Sequence, residues 1–242
     1  MDIRIFDSPE ATAAALARRV ARALVEKPSL VLGLPTGRTP VAAYGELRRL
    51  HAAGEADFAP ATTFNLDEFA GIPPSHPGSF RMFMERHLFQ GVNLRPAQIQ
   101  FLNGAAPDLD AECARYEAAI DAAGGIDLLL AGIGANGHIG FNEPGDELAS
   151  RTHRVTLLES TVRANAALFE GDLARVPREA LSMGMGTILK AGTLALLATG
   201  ETKARCIERT VHGPVTTHLP ASFLQLHRNV ELYLDRAAAS LM

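Results

Sequence analysis

The chain has 242 residues, a formal net charge of −4 and 47% hydrophobic residues. That is enough for one large α/β domain, residues 1–242, with a full core. Both charge signs are mixed along it. The absence of a basic stripe, aromatic–basic interleaving or a charge block argues against a nucleic-acid partner.

No apolar run reaches membrane-spanning length, and the N-terminus MDIRIFDSPE lacks an apolar leader core. A soluble cytoplasmic protein with no membrane partner is expected. Cys113 and Cys206 fall in predicted helices and read as small core residues in a reducing compartment.

In chain order, Ile3–Phe6 reads as a strand. Ser8 caps a helix that has Pro9 in its first turn and runs through Val25. Leu30–Leu34 is a strand that breaks into Pro35-Thr36-Gly37-Arg38-Thr39-Pro40, and a helix follows from Pro40 to about His51. Thr39 is expected at its N-cap, with Pro40 preorganising the first turn. Orphan amides and the helix dipole favour an anion there. Gly37 permits close backbone approach, Thr36 and Thr39 add hydroxyls, and Arg38 adds a cation. The loop lacks the GK[ST] ending of a nucleoside-triphosphate loop. An ordinary strand–helix connection is the alternative reading.

Ala61–Leu66 is a strand ending in Asp67-Glu68. Adjacent acids at a strand end ordinarily start a solvated loop. The loop they enter, Phe69 to Ser79, is rich in Pro and Gly, the kind that carries site residues. Ser79 caps a helix to about Leu88. A strand near Ile99–Phe101 and a helix near Leu109–Ala123 come next.

Ile126–Ala131 is an apolar run suited to a central parallel strand. It breaks into Gly132, Gly134, Gly137 and Gly140, among which sit Asn136, His138, Asn142 and Glu143. Gly132-Ile-Gly134-Ala-Asn-Gly137 matches the dinucleotide GxGxxG pattern. That pattern should open a helix, whereas this one runs into Phe141-Asn142-Glu143-Pro144-Gly145. An imidazole and a carboxylate beyond a strand's carboxyl end mark an active site instead.

His153–Leu157 is a strand, Thr161–Phe169 a helix, and Ala180–Met183 a strand ending in Gly184-Met185-Gly186-Thr187. Thr193–Ala198 is a strand followed by Gly200-Glu201-Thr202-Lys203, with Thr202 expected to cap a helix to Thr210. Lys203 could present its charge to a phosphate, or be a surface lysine. A short helix near Ala221–Leu226 and strand Val230–Leu234 close the chain. The alternation predicts an α/β domain with a mostly parallel open sheet and helices on both faces.

Several segments resemble the glucosamine-6-phosphate deaminase (glucosamine-6-phosphate isomerase) family: LGLPTGRTP at 32–40, FNLDEFAGIPPSHPGSF at 64–80, GIGANGHIGFNEPGDELASRTHRVTL at 132–157, and ALSMGMGTILKAGTLALLATGETKA followed by SFLQLH. The resemblance spans nearly the whole chain in order, and the NLDEF and GHIGFNEP segments together are specific. It implies a Rossmann-like fold of the deaminase/phosphogluconolactonase type. The implied reaction converts D-glucosamine 6-phosphate into fructose 6-phosphate and ammonia in amino-sugar catabolism, with no cofactor and no metal.

By the same resemblance, Asp67 would take the C2 proton and His138 would act in ring opening. Glu143 would orient His138, and Asn136 stands where some members have an aspartate. Gly37, Arg38, Thr39 and Lys203 would hold the phosphate. Arg38 stands where a glycine is usual. The family's phosphate-binding arginine falls on Ala167, so Arg163, one helical turn earlier, or Arg38 is expected to replace it. His153 and Val155 stand where activator-binding members have basic residues, which implies a non-allosteric monomer or small homo-oligomer.

The chemistry is coherent on the residues alone. A tuned carboxylate suits proton abstraction next to a carbonyl or iminium, and an imidazole supported by a carboxylate serves ring opening in both directions. The alternatives are 6-phosphogluconolactonase, a deaminase for another amino-sugar phosphate such as galactosamine 6-phosphate, and a noncatalytic sugar-phosphate sensor.

Overall fold

The computed structural model describes residues 1–242. Its main sheet has seven strands, all parallel, in the order β1-β10-β9-β6-β2-β3-β5. In sequence these are β1 (Asp2–Phe6), β2 (Val31–Leu34), β3 (Thr62–Asn65), β5 (Ile99–Gln100), β6 (Leu128–Gly132), β9 (Thr193–Ala198) and β10 (Val230–Asp235). The central strands carry apolar residues on both faces, as a sheet covered by helices on both sides requires. In β6, Leu128 and Leu130 pack into one core while Leu129 and Ala131 pack into the other. β9 divides likewise, with Leu194, Leu196 and Ala198 on one side and Ala195 and Leu197 on the other.

The first core is completed by α1 (Pro9–Glu26), α2 (Val41–Ala52) and α3 (Phe80–His87), and the second by α4 (Leu109–Ala122), α6 (Met185–Ile188) and α7 (Ala204–His212). Ser8 caps α1 by accepting from Ala11 N, with Pro9 in the first turn. Ser79 caps α3 by accepting from Met82 N. Cys113 and Cys206 are free and buried. No helix is long and apolar enough to cross a membrane.

A second, antiparallel sheet is absent from the sequence-based expectation. It has the order β4-β8-β7, formed by β4 (Asp67–Phe69), β8 (Glu179–Ser182) and β7 (His153–Thr156). Asp67 and Glu68 therefore do not start a solvated loop. They lie in a buried strand, 6% and 2% exposed. The cause is aromatic packing: Phe69, Phe80, Phe141 and Phe169 form a separate core that draws this stretch inward.

Other local expectations are corrected. Pro40, not Thr39, holds the N-cap of α2, and no side chain caps that helix. Thr202 is not a cap either, because Glu201–Lys203 forms a 3-10 turn and Lys203 precedes α7 uncapped. The expected helix Thr161–Phe169 is α5 (Glu159–Asn165) followed by a 3-10 turn, Ala166–Phe169. The stretch after the expected strand Ala180–Met183 forms a short helix, Met185–Ile188.

Candidate active site

Strands β9, β6, β2 and β3 are consecutive neighbours in the sheet. Their carboxyl ends lead to Lys203, to the His138–Glu143 segment, to the Thr36–Thr39 loop and to Asp67. Four stretches far apart in sequence thus share one edge, where open α/β sheets bind ligands.

The segment after β6 contains no helix, so the GxGxxG glycines serve another end. A Cβ on Gly134 would lie 2.3 Å from the His138 ring, which means the imidazole occupies the space a side chain would need. Gly140 has φ +59°, and a Cβ there would lie 3.0 Å from Ser182 Oγ and 3.5 Å from Asp67 Oδ2. Its missing side chain lets the Asp67 strand and the histidine loop meet.

Glu143 is held from several sides. Asn136 Nδ2 donates to Glu143 Oε2 at 2.7 Å, and the Thr161 hydroxyl donates to Oε1. His138 Nδ1 lies 3.3 Å from the same Oε2. That nitrogen is buried without a well-directed hydrogen bond, so the imidazole lies against the carboxylate, one small ring or carboxylate rotation from bonding. Asn136 Oδ1 in turn accepts from the His138 amide at 3.3 Å, which fixes the Asn136 amide orientation. Burial pushes Glu143 up, but the imidazole, the Thr161 hydroxyl and the Asn136 amide together pull its pKa down to about 2.

Asp67 has the opposite setting. Burial first, and the neighbouring Glu68 charge second, raise its pKa to about 7, with the Thr36 hydroxyl opposing them. Its Oδ1 is buried without a hydrogen-bond partner. Asp67 is a carboxylate poised to gain and lose a proton near neutral pH, beside one fixed in its charged form.

The loop after β2 carries Gly37 at φ +99°, with open space where its side chain would be. Thr36 and Thr39 are half-buried and Arg38 is exposed. Tyr44, one turn into α2, donates to the Pro35 carbonyl and fixes the loop's origin. Lys203 is half-buried, and burial and the Arg38 guanidinium lower its pKa while Cys206 opposes them. Neither Lys203 nor Arg38 forms an ion pair with a carboxylate. Two cations converging without a counterion beside a glycine turn fit an anion.

Arg163 does not join them by any bond. It lies exposed on α5, which ends at Asn165, so the single helical face expected to relate it to Ala167 is broken by the 3-10 turn. The residue that sequence reasoning missed is Thr161. It is 5% exposed, and its hydroxyl holds the site glutamate from 18 positions away. No local pattern marked it.

An acid poised near neutrality, an imidazole–carboxylate pair and a cationic loop at one sheet edge make a candidate active site on an α/β fold, of a kind that suits a small anionic ligand. The chain belongs to the glucosamine-6-phosphate isomerase/6-phosphogluconolactonase family, whose profile matches residues 7–233. It is 52% identical over 214 residues to glucosamine-6-phosphate deaminase 2 of Bacillus subtilis (strain 168), covering 88% of this chain and 86% of that one. It is 48% identical over 227 residues to glucosamine-6-phosphate deaminase 1 of Giardia intestinalis, covering 94% and 85%.

Among solved structures, a monomeric glucosamine-6-phosphate deaminase described as a missing link of the NagB superfamily matches with a TM-score of 0.96. The identity is 43%, and both chains are covered in full. The 6-phosphogluconolactonase of Trypanosoma brucei shares the fold, with a TM-score of 0.74 at 18% identity, covering 99% of this chain and 97% of that one.

Proposed function

We propose that the protein converts D-glucosamine 6-phosphate and water into fructose 6-phosphate and ammonia, with the chain 1–242 acting as one domain. The observation that carries this reading is the pairing of a proton-exchanging Asp67 with the His138–Glu143 couple at one sheet edge, in a chain 48–52% identical to named deaminases.

The phosphate rests against Gly37, Arg38 and Lys203, with the Thr36 and Thr39 hydroxyls beside it. This remote anchor holds the sugar carbons against the base. His138 passes a proton between the C1 hydroxyl and the ring oxygen, opening the ring to the aldehyde. Glu143 supports the imidazolium. Asp67 takes the C2 proton and returns it at C1, which leaves an imine at C2. Water adds to that imine and ammonia departs, giving the ketose phosphate. We further infer a monomer acting in the cytoplasm, as the likeness to a monomeric deaminase supports.

The test is release of ammonia and fructose 6-phosphate from D-glucosamine 6-phosphate. Galactosamine 6-phosphate and 6-phosphogluconolactone serve as competing substrates. Turnover confined to the glucosamine ester is the expected result. Lactone hydrolysis without deamination would overturn the reading.

A further inference from the structure

Glu143 has two carboxylate oxygens with different tasks. Oε1 is taken by the Thr161 hydroxyl alone. Oε2 is bonded to Asn136 Nδ2 at 2.7 Å, while His138 Nδ1 waits 3.3 Å away without a directed bond. Both Thr161 and the Glu143 side chain are less than one-tenth exposed, so water does not readily replace a lost partner.

We propose that Thr161 is a positioning residue on which Glu143 pivots, so that Oε2 passes from the Asn136 amide to His138 Nδ1–H when the imidazole gains its proton. The inference rests on the reading of His138 as the group that exchanges protons with the sugar.

A carboxylate pinned at one oxygen can rotate the other through a small arc without losing its place. Thr161 lies near the start of α5, two residues past Glu159, and its own carbonyl accepts from Asn165 Nδ2 at 2.9 Å. Neighbouring Val162 is fully buried in the aromatic core. The pivot is therefore fixed to a rigid part of the fold, and supporting groups of this kind are what hold a reactive pair in line.

The titratable groups facing this loop are few. Glu143 lies within it and Asp67 reaches Gly140 from β4. Cys206 packs near Gly137 from α7, with Lys203 beside it. His218 and Asp146 meet at 3.8 Å on the rim. None of them donates to Glu143 Oε1 in place of Thr161.

The experiment is Thr161→Val, close in shape but without the donor, beside Thr161→Ser, which keeps it. His138 is titrated by NMR in the free protein, and kcat and KM are measured in parallel. The expected result for Thr161→Val is a fall of at least ~0.5 pH unit in the His138 titration. A kcat loss of roughly tenfold with KM within about twofold accompanies it. Thr161→Ser restores both.

An unmoved or raised His138 titration in a folded Thr161→Val protein would overturn the pivot. A merely structural threonine would lower the melting temperature and leave the titration in place. Because the titration needs no substrate, it still reads if the wild type fails to deaminate glucosamine 6-phosphate. Failure of the pivot and failure of the functional reading are thus separable.

Discussion

Gly134 and His138 are packed so that a Cβ on the glycine would lie 2.3 Å from ring Cε1 and 2.3 Å from Nδ1. The backbone at Gly134 is not in the left-handed region, and the atoms nearest to a side chain there are those of the His138 ring. Gly134→Ala should therefore leave the backbone conformation free and push the imidazole out of line with Glu143. We expect kcat to fall by about 100-fold with a much smaller change in KM, since misplacing a reacting group acts on the transition state. Thermal unfolding should shift little. A mutant with wild-type kcat would show that the ring has room to spare.

Asp67 ties activity to pH and stability in opposite directions. Its pKa lies near 7 in the folded protein, against an ordinary value of 3.8. Between those values the folded state holds a proton that the unfolded state has released. Its contribution to stability is thus complete below about pH 4 and is lost as pH rises through about 7. In its proposed role as the base, the same group works only once ionised, so activity should rise across the range where stability falls. Asp67→Asn should abolish deamination and, above pH 7, stabilise the fold by on the order of 2 kcal/mol. Denaturant unfolding at pH 5 and pH 8 checks this. A mutant no more stable than wild type at pH 8 would show that the buried charge is solvated or paired.

The convergence of Arg38 and Lys203 makes a prediction about binding alone. Both are proposed to hold the phosphate and not the reacting carbons, so Arg38→Ala and Lys203→Ala should each raise KM about tenfold with kcat within about threefold. Both effects should shrink as salt rises. Arg163→Ala should leave KM within about twofold, because its helix stops at Asn165 and the 3-10 turn that follows breaks the face it would share with Ala167. If Arg163→Ala instead raises KM as Arg38→Ala does, the α5 arginine supplies the phosphate cation.

Much of this was legible in the chain itself. Strands β2, β6 and β9 announce themselves as short apolar runs, and parallel order follows from their alternation with helices. The glycine loop with His138 and Glu143, and the carboxylate at 67, stand out because polar groups gather where strands stop. What the sequence hides is non-local. Asp67-Glu68-Phe69 looks like the start of a loop until Glu179–Ser182 pairs with it across more than a hundred residues. Thr161 looks like any helical threonine until Glu143 is found beside it. Thr39 and Thr202 look like caps because their residue type suits the role, yet the first turns form without them.

Glu68 shows why two acids stand together in this strand. Its carboxylate accepts from three backbone amides: Phe69 N at 2.8 Å, Phe80 N at 2.9 Å and Arg81 N at 2.9 Å. The last two belong to the first turn of α3, so Glu68 ties the base strand to that helix. Burial pushes its pKa up, against those amides and the nearby Arg81 charge. Three amides, two of them at the N-terminus of α3, favour the ionised form, and we take the carboxylate as charged at neutral pH. Its charge then helps hold Asp67 near 7. Glu68→Gln keeps the shape but turns an NH2 donor toward the Arg81 amide. Leaving a buried donor unpaired should cost on the order of 2–4 kcal/mol of stability. It should also lower the pKa of Asp67, so that the acid limb of the kcat profile moves to lower pH. A destabilised mutant whose acid limb stays in place would assign Glu68 to the fold alone and leave burial as what raises the Asp67 pKa.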